Sequence, residues 1–261
     1  MPLEKAPYWT DLYYRVVEHY FWSPHRIGRK SDPEAARWPW NHWKDKLGSQ
    51  ETPLNHILDF LFHIAPERLL DQVVSALLPR PISGLKLVAP SPGTIDYNVV
   101  QPDIIVSNSA ELVFIEIKVD SRSSIDQFAK YAIAAHCIRQ DEPAIHSVDL
   151  ILLGRSTAHG RVWKRARKLG LFSEQAVREV ALRALQHEPT IWGERGVQRY
   201  IGSHPEVIPA LADQLMSMGL HLRDYCPVES ALRNYASEDT TLNHLIDGVL
   251  HEFTRRRLVV R

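Results

Sequence analysis

The run Gln101-Pro102-Asp103-Ile104-Ile105-Val106-Ser107-Asn108-Ser109-Ala110-Glu111-Leu112-Val113-Phe114-Ile115-Glu116-Ile117-Lys118-Val119 decides how the rest of the chain is read. Two apolar, β-branched segments flank a Ser-Asn-Ser turn signal, which predicts two adjacent strands, Asp103–Ser107 and Leu112–Val119. The first half of the second segment is apolar at every position, as expected of a strand buried on both faces in the middle of a sheet. Glu116 and Lys118 interrupt it. Residues two apart on a strand share a face, so a carboxylate and an ammonium emerge side by side from an otherwise buried element. Burying a charge costs several kcal/mol unless it is paired or binds an ion. If the two strands pair through their short connection, Asp103 converges on Glu116. Two carboxylates and a backbone carbonyl are suited as oxygen ligands to Mg²⁺ or Mn²⁺, and a lysine beside them is suited to act on an attacking water or on charge building at a phosphate.

Outward from this pair, Leu85–Ala89 predicts an earlier strand and Ser147–Leu153 a later one, with a helix from Ile125 to about Arg139 between the third and the fourth. Before the strands, residues 53–78 carry apolar positions at helical spacing. Pro66 divides them into two helices, and Leu69, Leu70, Val73, Val74, Leu77 and Leu78 form a stripe on the second. The order helix, strand, strand, strand, helix, strand predicts an α/β fold with a mixed sheet flanked by helices. Three regions follow: an aromatic-rich arm over 1–50, a core over 51–160 and a helical C-terminal region over 161–261. The last has helices expected near 173–187, 205–219, 227–236 and 240–256, and no further strand.

Pro102-Asp103, twelve intervening residues, then Glu116-Ile117-Lys118 resembles the signature of the PD-(D/E)XK nuclease superfamily, and the element order is similar to its restriction-endonuclease-like αβββαβ core. Gln127 and Tyr131 form a Q-x-x-x-Y pattern on the following helix, similar to the RecB-like branch. The resemblance spans roughly residues 51–153. It implies divalent-metal-dependent hydrolysis of phosphodiester bonds, of DNA in preference to RNA. Asp103, Glu116 and the Ile117 carbonyl would be metal ligands and Lys118 the catalytic lysine. Gln127 and Tyr131 would position that lysine or a substrate phosphate; on spacing alone the alternative is a polar pair on a solvated helix face.

The family also implies an acid from the helix before the first strand. Glu67 is the first candidate, although an acid in a first helical turn is also ordinary dipole chemistry. Asp71 and Glu51 are the reserves, and Asp96 is a further one. The cysteine cluster that holds an iron–sulfur site in some RecB-like nucleases is absent, as are P-loop, H-E-x-x-H and G-x-S-x-G patterns. His56 and His63 read as ordinary helix residues rather than metal ligands.

Composition narrows the partners. The 261 residues are 44% hydrophobic and 24% charged, with 31 basic residues against 31 acidic ones, so any nucleic-acid contact must come from local clustering. Between Arg155 and Lys168 lie Arg155, Arg161, Lys164, Arg165, Arg167 and Lys168, with Trp163 among them and no acid. This tract fits either phosphate contact or a solvated helix face. Arg255, Arg256, Arg257 and Arg261 make the C-terminal end basic as well, serving the same partner or simply charging a helix end favourably. Five of seven tryptophans fall in residues 1–50, where they either pack the arm or offer surfaces for base stacking. Two cysteines and the lack of an export or membrane-spanning signal give a cytoplasmic expectation, with no membrane partner and with room for a partner subunit or a homo-oligomer. The rival reading is a nucleic-acid-binding or scaffold protein that keeps the nuclease fold without cleaving.

Overall fold

The computed structural model describes residues 51–88, 102–119, 131, 135–136, 138–139, 142–155 and 206–259. The expectations for the 1–50 arm, Asp96, Gln127, the 173–187 helix, and Arg161, Lys164, Arg165, Arg167 and Lys168 lie outside them.

Helices α1 (Glu51–Ile64) and α2 (Glu67–Leu77) open this part of the chain, separated at Pro66, whose ring cannot donate to a continuing helix. The stripe Leu69, Leu70, Val73, Val74 and Leu77 is the buried face of α2. Asp71, on the same helix, accepts hydrogen bonds from the amides of Gly84 and Leu85, at 2.9 Å each. It thereby shapes the turn in which Gly84 takes a φ of 70°, a conformation that glycine adopts without penalty.

The sheet has five strands in the order β1-β2-β3-β4-β5: β1 (Lys86–Leu87), β2 (Ile104–Ser107), β3 (Glu111–Lys118), β4 (Ser147–Gly154) and β5 (Gly219–Arg223). The first three pair antiparallel, while β3–β4 and β4–β5 are parallel. The coarse α/β class with a mixed sheet is therefore as the sequence predicts. The β2–β3 turn is organised by Asn108, whose side-chain oxygen accepts from the amides of Ala110 and Glu111 at 2.9 and 2.8 Å. Parallel β3 and β4 require a crossover, and the helical residues found between 131 and 139 belong to it.

Alternation sorts the sheet into two faces. Ile104, Val106, Val113, Ile115, Ile117, Ile151 and Leu153 join one apolar cluster with the buried residues of α1, α2, α4 (Cys226–Arg233) and α5 (Thr240–Arg255). Phe114, Glu116 and Lys118 lie on the opposite face, where the Phe114 ring sits 5.5 Å from that of Tyr131.

The C-terminal region differs from the expectation of helices alone. After α3 (Val207–Ser217) the chain forms β5 as an edge strand, and α4 and α5 then complete the core beneath the sheet. The strand was hard to read because its polar residues serve the packed side. His221 Nε2 lies 2.7 Å from Asp149 Oδ1, and Arg223 Nε donates to the Leu77 carbonyl at 2.7 Å, while Leu220 is exposed. Asp149 also takes Arg80 at 2.7 Å, and Arg80 pairs with Glu111, so one charged cluster ties β3, β4, β5 and the turn after α2 together.

Of the basic C-terminal residues Arg256 is buried and Arg255 partly buried. Glu252 is fully buried and accepts from Arg255 Nη2 at 2.7 Å and Arg256 Nε at 3.1 Å, and Arg256 is itself buried. The Arg256 carbonyl in turn accepts from Arg155. Removing one partner of such a cluster leaves an uncompensated buried charge. Glu252→Ala is therefore expected to lower the unfolding free energy by about 3–5 kcal/mol in urea titrations. A loss below about 1 kcal/mol, the size of a surface pair, would contradict an internal role for these arginines.

Candidate active site at the end of strands β2 and β3

The site grows from the register of β2 on β3. Ile104 lies opposite Ile115, so the next residue outward, Asp103, falls level with Glu116. Asp103 has left the ladder, and its carboxylate is held in place by two donors. Oδ2 accepts from the backbone amide of Ile117 at 2.7 Å, and Oδ1 accepts from the Asn55 side-chain amide. Asp103 is thus fixed to the residue that separates Glu116 from Lys118.

Glu116 and Lys118 are both buried, at 5% and 6% exposure, and they pair with each other. The second carboxylate oxygen of Glu116 accepts from the Tyr131 hydroxyl, and the Tyr131 ring is buried against Phe114. Glu116 and Lys118 emerge just beyond the end of the β2 ladder at Ile115, where β3 is still paired with β4 opposite Leu152 and Gly154, which fixes the backbone that carries them. The donor chemistry, two carboxylates on adjacent strand ends, fits a small hard cation of the Mg²⁺ or Mn²⁺ type.

The remaining expected residues are distributed unevenly. Tyr131 joins the site, while its pattern partner Gln127 lies outside the described residues. Glu67 is directed elsewhere: it is largely exposed at the start of α2, 3.7 Å from the equally exposed Lys86 on β1. Both carboxylate oxygens of Asp71 serve the turn at Gly84 and Leu85. The helix that reaches the site is α1, through Asn55, and Glu51 is the first residue of that helix. Arg155 follows β4 and is engaged with the Arg256 carbonyl.

Asn55 is the site residue that motif reading missed. Its contact with Asp103 spans 48 positions of sequence, and an asparagine on a helix has no spacing signal of its own. Among the described residues, no group of three or more His, Cys, Asp and Glu side chains is gathered as a metal site. Two histidines have their pKa lowered. Burial is the main cause for His56, opposed by Asp59, whereas at His136 burial is reinforced by the Arg139 charge. Each imidazole is therefore predominantly neutral at pH 7 and is not a cationic partner for phosphate.

Comparison of the chain with family models, with curated proteins and with solved structures returned no match. No helix among the described residues is long and apolar enough to cross a membrane.

A buried pair placed for chemistry rather than stability has a thermodynamic signature. Lys118→Met alone leaves Glu116 buried without its cation and is expected to cost about 3–5 kcal/mol. The double variant Glu116→Leu/Lys118→Met, with apolar groups of similar volume, should recover most of that loss or exceed native stability, as read by chemical denaturation. Simple addition of the two single losses would show that the pair is not coupled.

Proposed function

We propose that the protein is a divalent-metal-dependent nuclease that hydrolyses phosphodiester bonds, of DNA in preference to RNA, on a restriction-endonuclease-like core. The observation that carries the reading is the buried Glu116–Lys118 pair, held by Tyr131 and set beside an Asp103 whose carboxylate is clamped to the Ile117 amide. Charges taken out of water in this way contribute little to stability, and their placement at the ends of two adjacent strands suits a site that receives a cation and a phosphate.

Asp103 and Glu116 would hold Mg²⁺ or Mn²⁺, with the Ile117 carbonyl as a further oxygen. When bound, the cation supplies electrostatic stabilisation of the phosphate and acidifies water. The protein's own groups have separate tasks. Lys118 orients the attacking water through its ammonium and opposes the negative charge that gathers on the phosphate oxygens. Glu116 keeps Lys118 in place, and Tyr131 fixes the Glu116 carboxylate by occupying its second oxygen. In hydrolysis the water oxygen bonds to phosphorus as the bond from phosphorus to the ester oxygen breaks; the ester oxygen leaves with that electron pair, the attacking water sheds a proton to solvent, and the leaving oxygen takes one up from solvent. Glu51 is the helix-borne acid to test beside Glu67, because it belongs to α1, the helix that supplies the contact to Asp103, while Glu67 lies near Lys86.

The test is cleavage of single- and double-stranded DNA and RNA by the purified full chain with Mg²⁺ or Mn²⁺. Lys118→Met is expected to reduce cleavage by at least about 100-fold, a typical loss when a group that opposes developing negative charge is removed. Retention of cleavage by Lys118→Met would overturn the mechanism. Salt-sensitive DNA binding without any cleavage would favour a binding protein instead. Glu51→Gln should impair cleavage far more than Glu67→Gln, and the reverse order would return the role to Glu67.

A further inference from the structure

Asn55 has a feature that its contact with Asp103 does not explain. Its side-chain nitrogen donates to Asp103 Oδ1, while its own Oδ1 is shielded from solvent and has no hydrogen-bond partner among the described residues. Turning the amide over does not remove the difficulty. It would set the carbonyl oxygen against the Asp103 carboxylate, two acceptors in contact, so the orientation with nitrogen toward Asp103 follows from the chemistry. The outcome is a buried acceptor without a donor among the described residues, fixed within one amide group of the carboxylate assigned to the cation. Buried acceptors are almost always satisfied, and an ordered water or an ion is a common source of the missing partner.

We propose that Asn55 is a positioning residue of the cation site. Its N–H group holds the Asp103 carboxylate, and its Oδ1 accepts a hydrogen bond from water that accompanies Mg²⁺ or Mn²⁺. The proposal rests on the nuclease reading of the same site and adds a residue to which the resemblance gives no role. Mg²⁺ gives up its hydration reluctantly and usually keeps several waters, each a donor polarised by the cation. A neutral amide meets both demands at once, offering a donor to a carboxylate and an acceptor to water. Leucine offers neither, and aspartate offers only acceptors.

Mn²⁺ affinity of the full chain, measured by calorimetry and by the electron-spin resonance of free Mn²⁺, tests the idea without reference to cleavage. Asn55→Leu is expected to weaken Mn²⁺ binding by about 10–100-fold, the range typical of residues that orient a metal ligand. Asn55→Asp keeps an acceptor but sets a second carboxylate against Asp103. Its metal-free melting temperature should fall, and the increase produced by Mn²⁺ should exceed that of the native protein.

If native protein binds Mn²⁺ and Asp103→Asn abolishes binding, yet Asn55→Leu stays within about threefold of native, the proposal fails while the nuclease reading stands. If native protein shows no saturable Mn²⁺ binding, the reading fails and the proposal with it. Should Asn55→Leu not fold, Asn55→Asp decides: a Mn²⁺-induced rise no larger than native overturns the proposal.

Discussion

The constraint on which the architecture turns is the placement of two opposite charges, Glu116 and Lys118, on one face of the central strand, out of reach of bulk water. Desolvation of each ion costs several kcal/mol, and mutual attraction offsets this only where the geometry is held. Everything around β3 serves that condition. The strand is paired on both sides, Tyr131 satisfies the free carboxylate oxygen, and Phe114 packs one step away on the same face. The opposite face of the strand is given over to Val113, Ile115 and Ile117, which meet the helices. The core thus anchors the strand from one side so that the other can carry charge.

A second charged cluster shows the contrast between structural and chemical use of the same residue types. Arg80, Glu111, Asp149 and His221 join the turn after α2 to three strands, and Glu252 internalises two arginines near the end of α5. Each of these charges is matched to a partner whose loss would loosen the packing of neighbouring elements. At the candidate site, by comparison, Asp103 is held in part by amides, one from the backbone and one from a side chain.

Most of the strand framework was legible because its causes are local. The turn signal at Ser107-Asn108-Ser109, the alternation through β2 and the continuous apolar run of β3 act over a few residues, and Pro66 divides α1 from α2 by removing a donor. Strand β1 is shorter than the apolar run Leu85–Ala89 suggested, with Val88 adding only one amide bond to Ile105. Strand β5 escaped because its inward side is polar, so its pattern does not announce which face is buried. Asp103, Glu116 and Lys118 were readable from type and spacing. The helix contribution was not, since chain proximity to β1 favoured Glu67, whereas the approach of α1 to the end of β2 is a tertiary event that brings Asn55 to Asp103.

The neutral charge total of the chain takes a different meaning from this partition. Arg255 and Arg256 fitted either phosphate contact or a charged helix end in sequence, and both pair with Glu252, while Arg155 donates to the Arg256 carbonyl, so their geometry is set by internal contacts. One carboxylate between two guanidinium groups still leaves this corner of the molecule net positive. Under the nuclease reading a bound cation would add to the site positive charge that the amino-acid count does not contain. On that account occupation of the carboxylates would strengthen the attraction of the site for a phosphodiester, which couples substrate capture to metal loading.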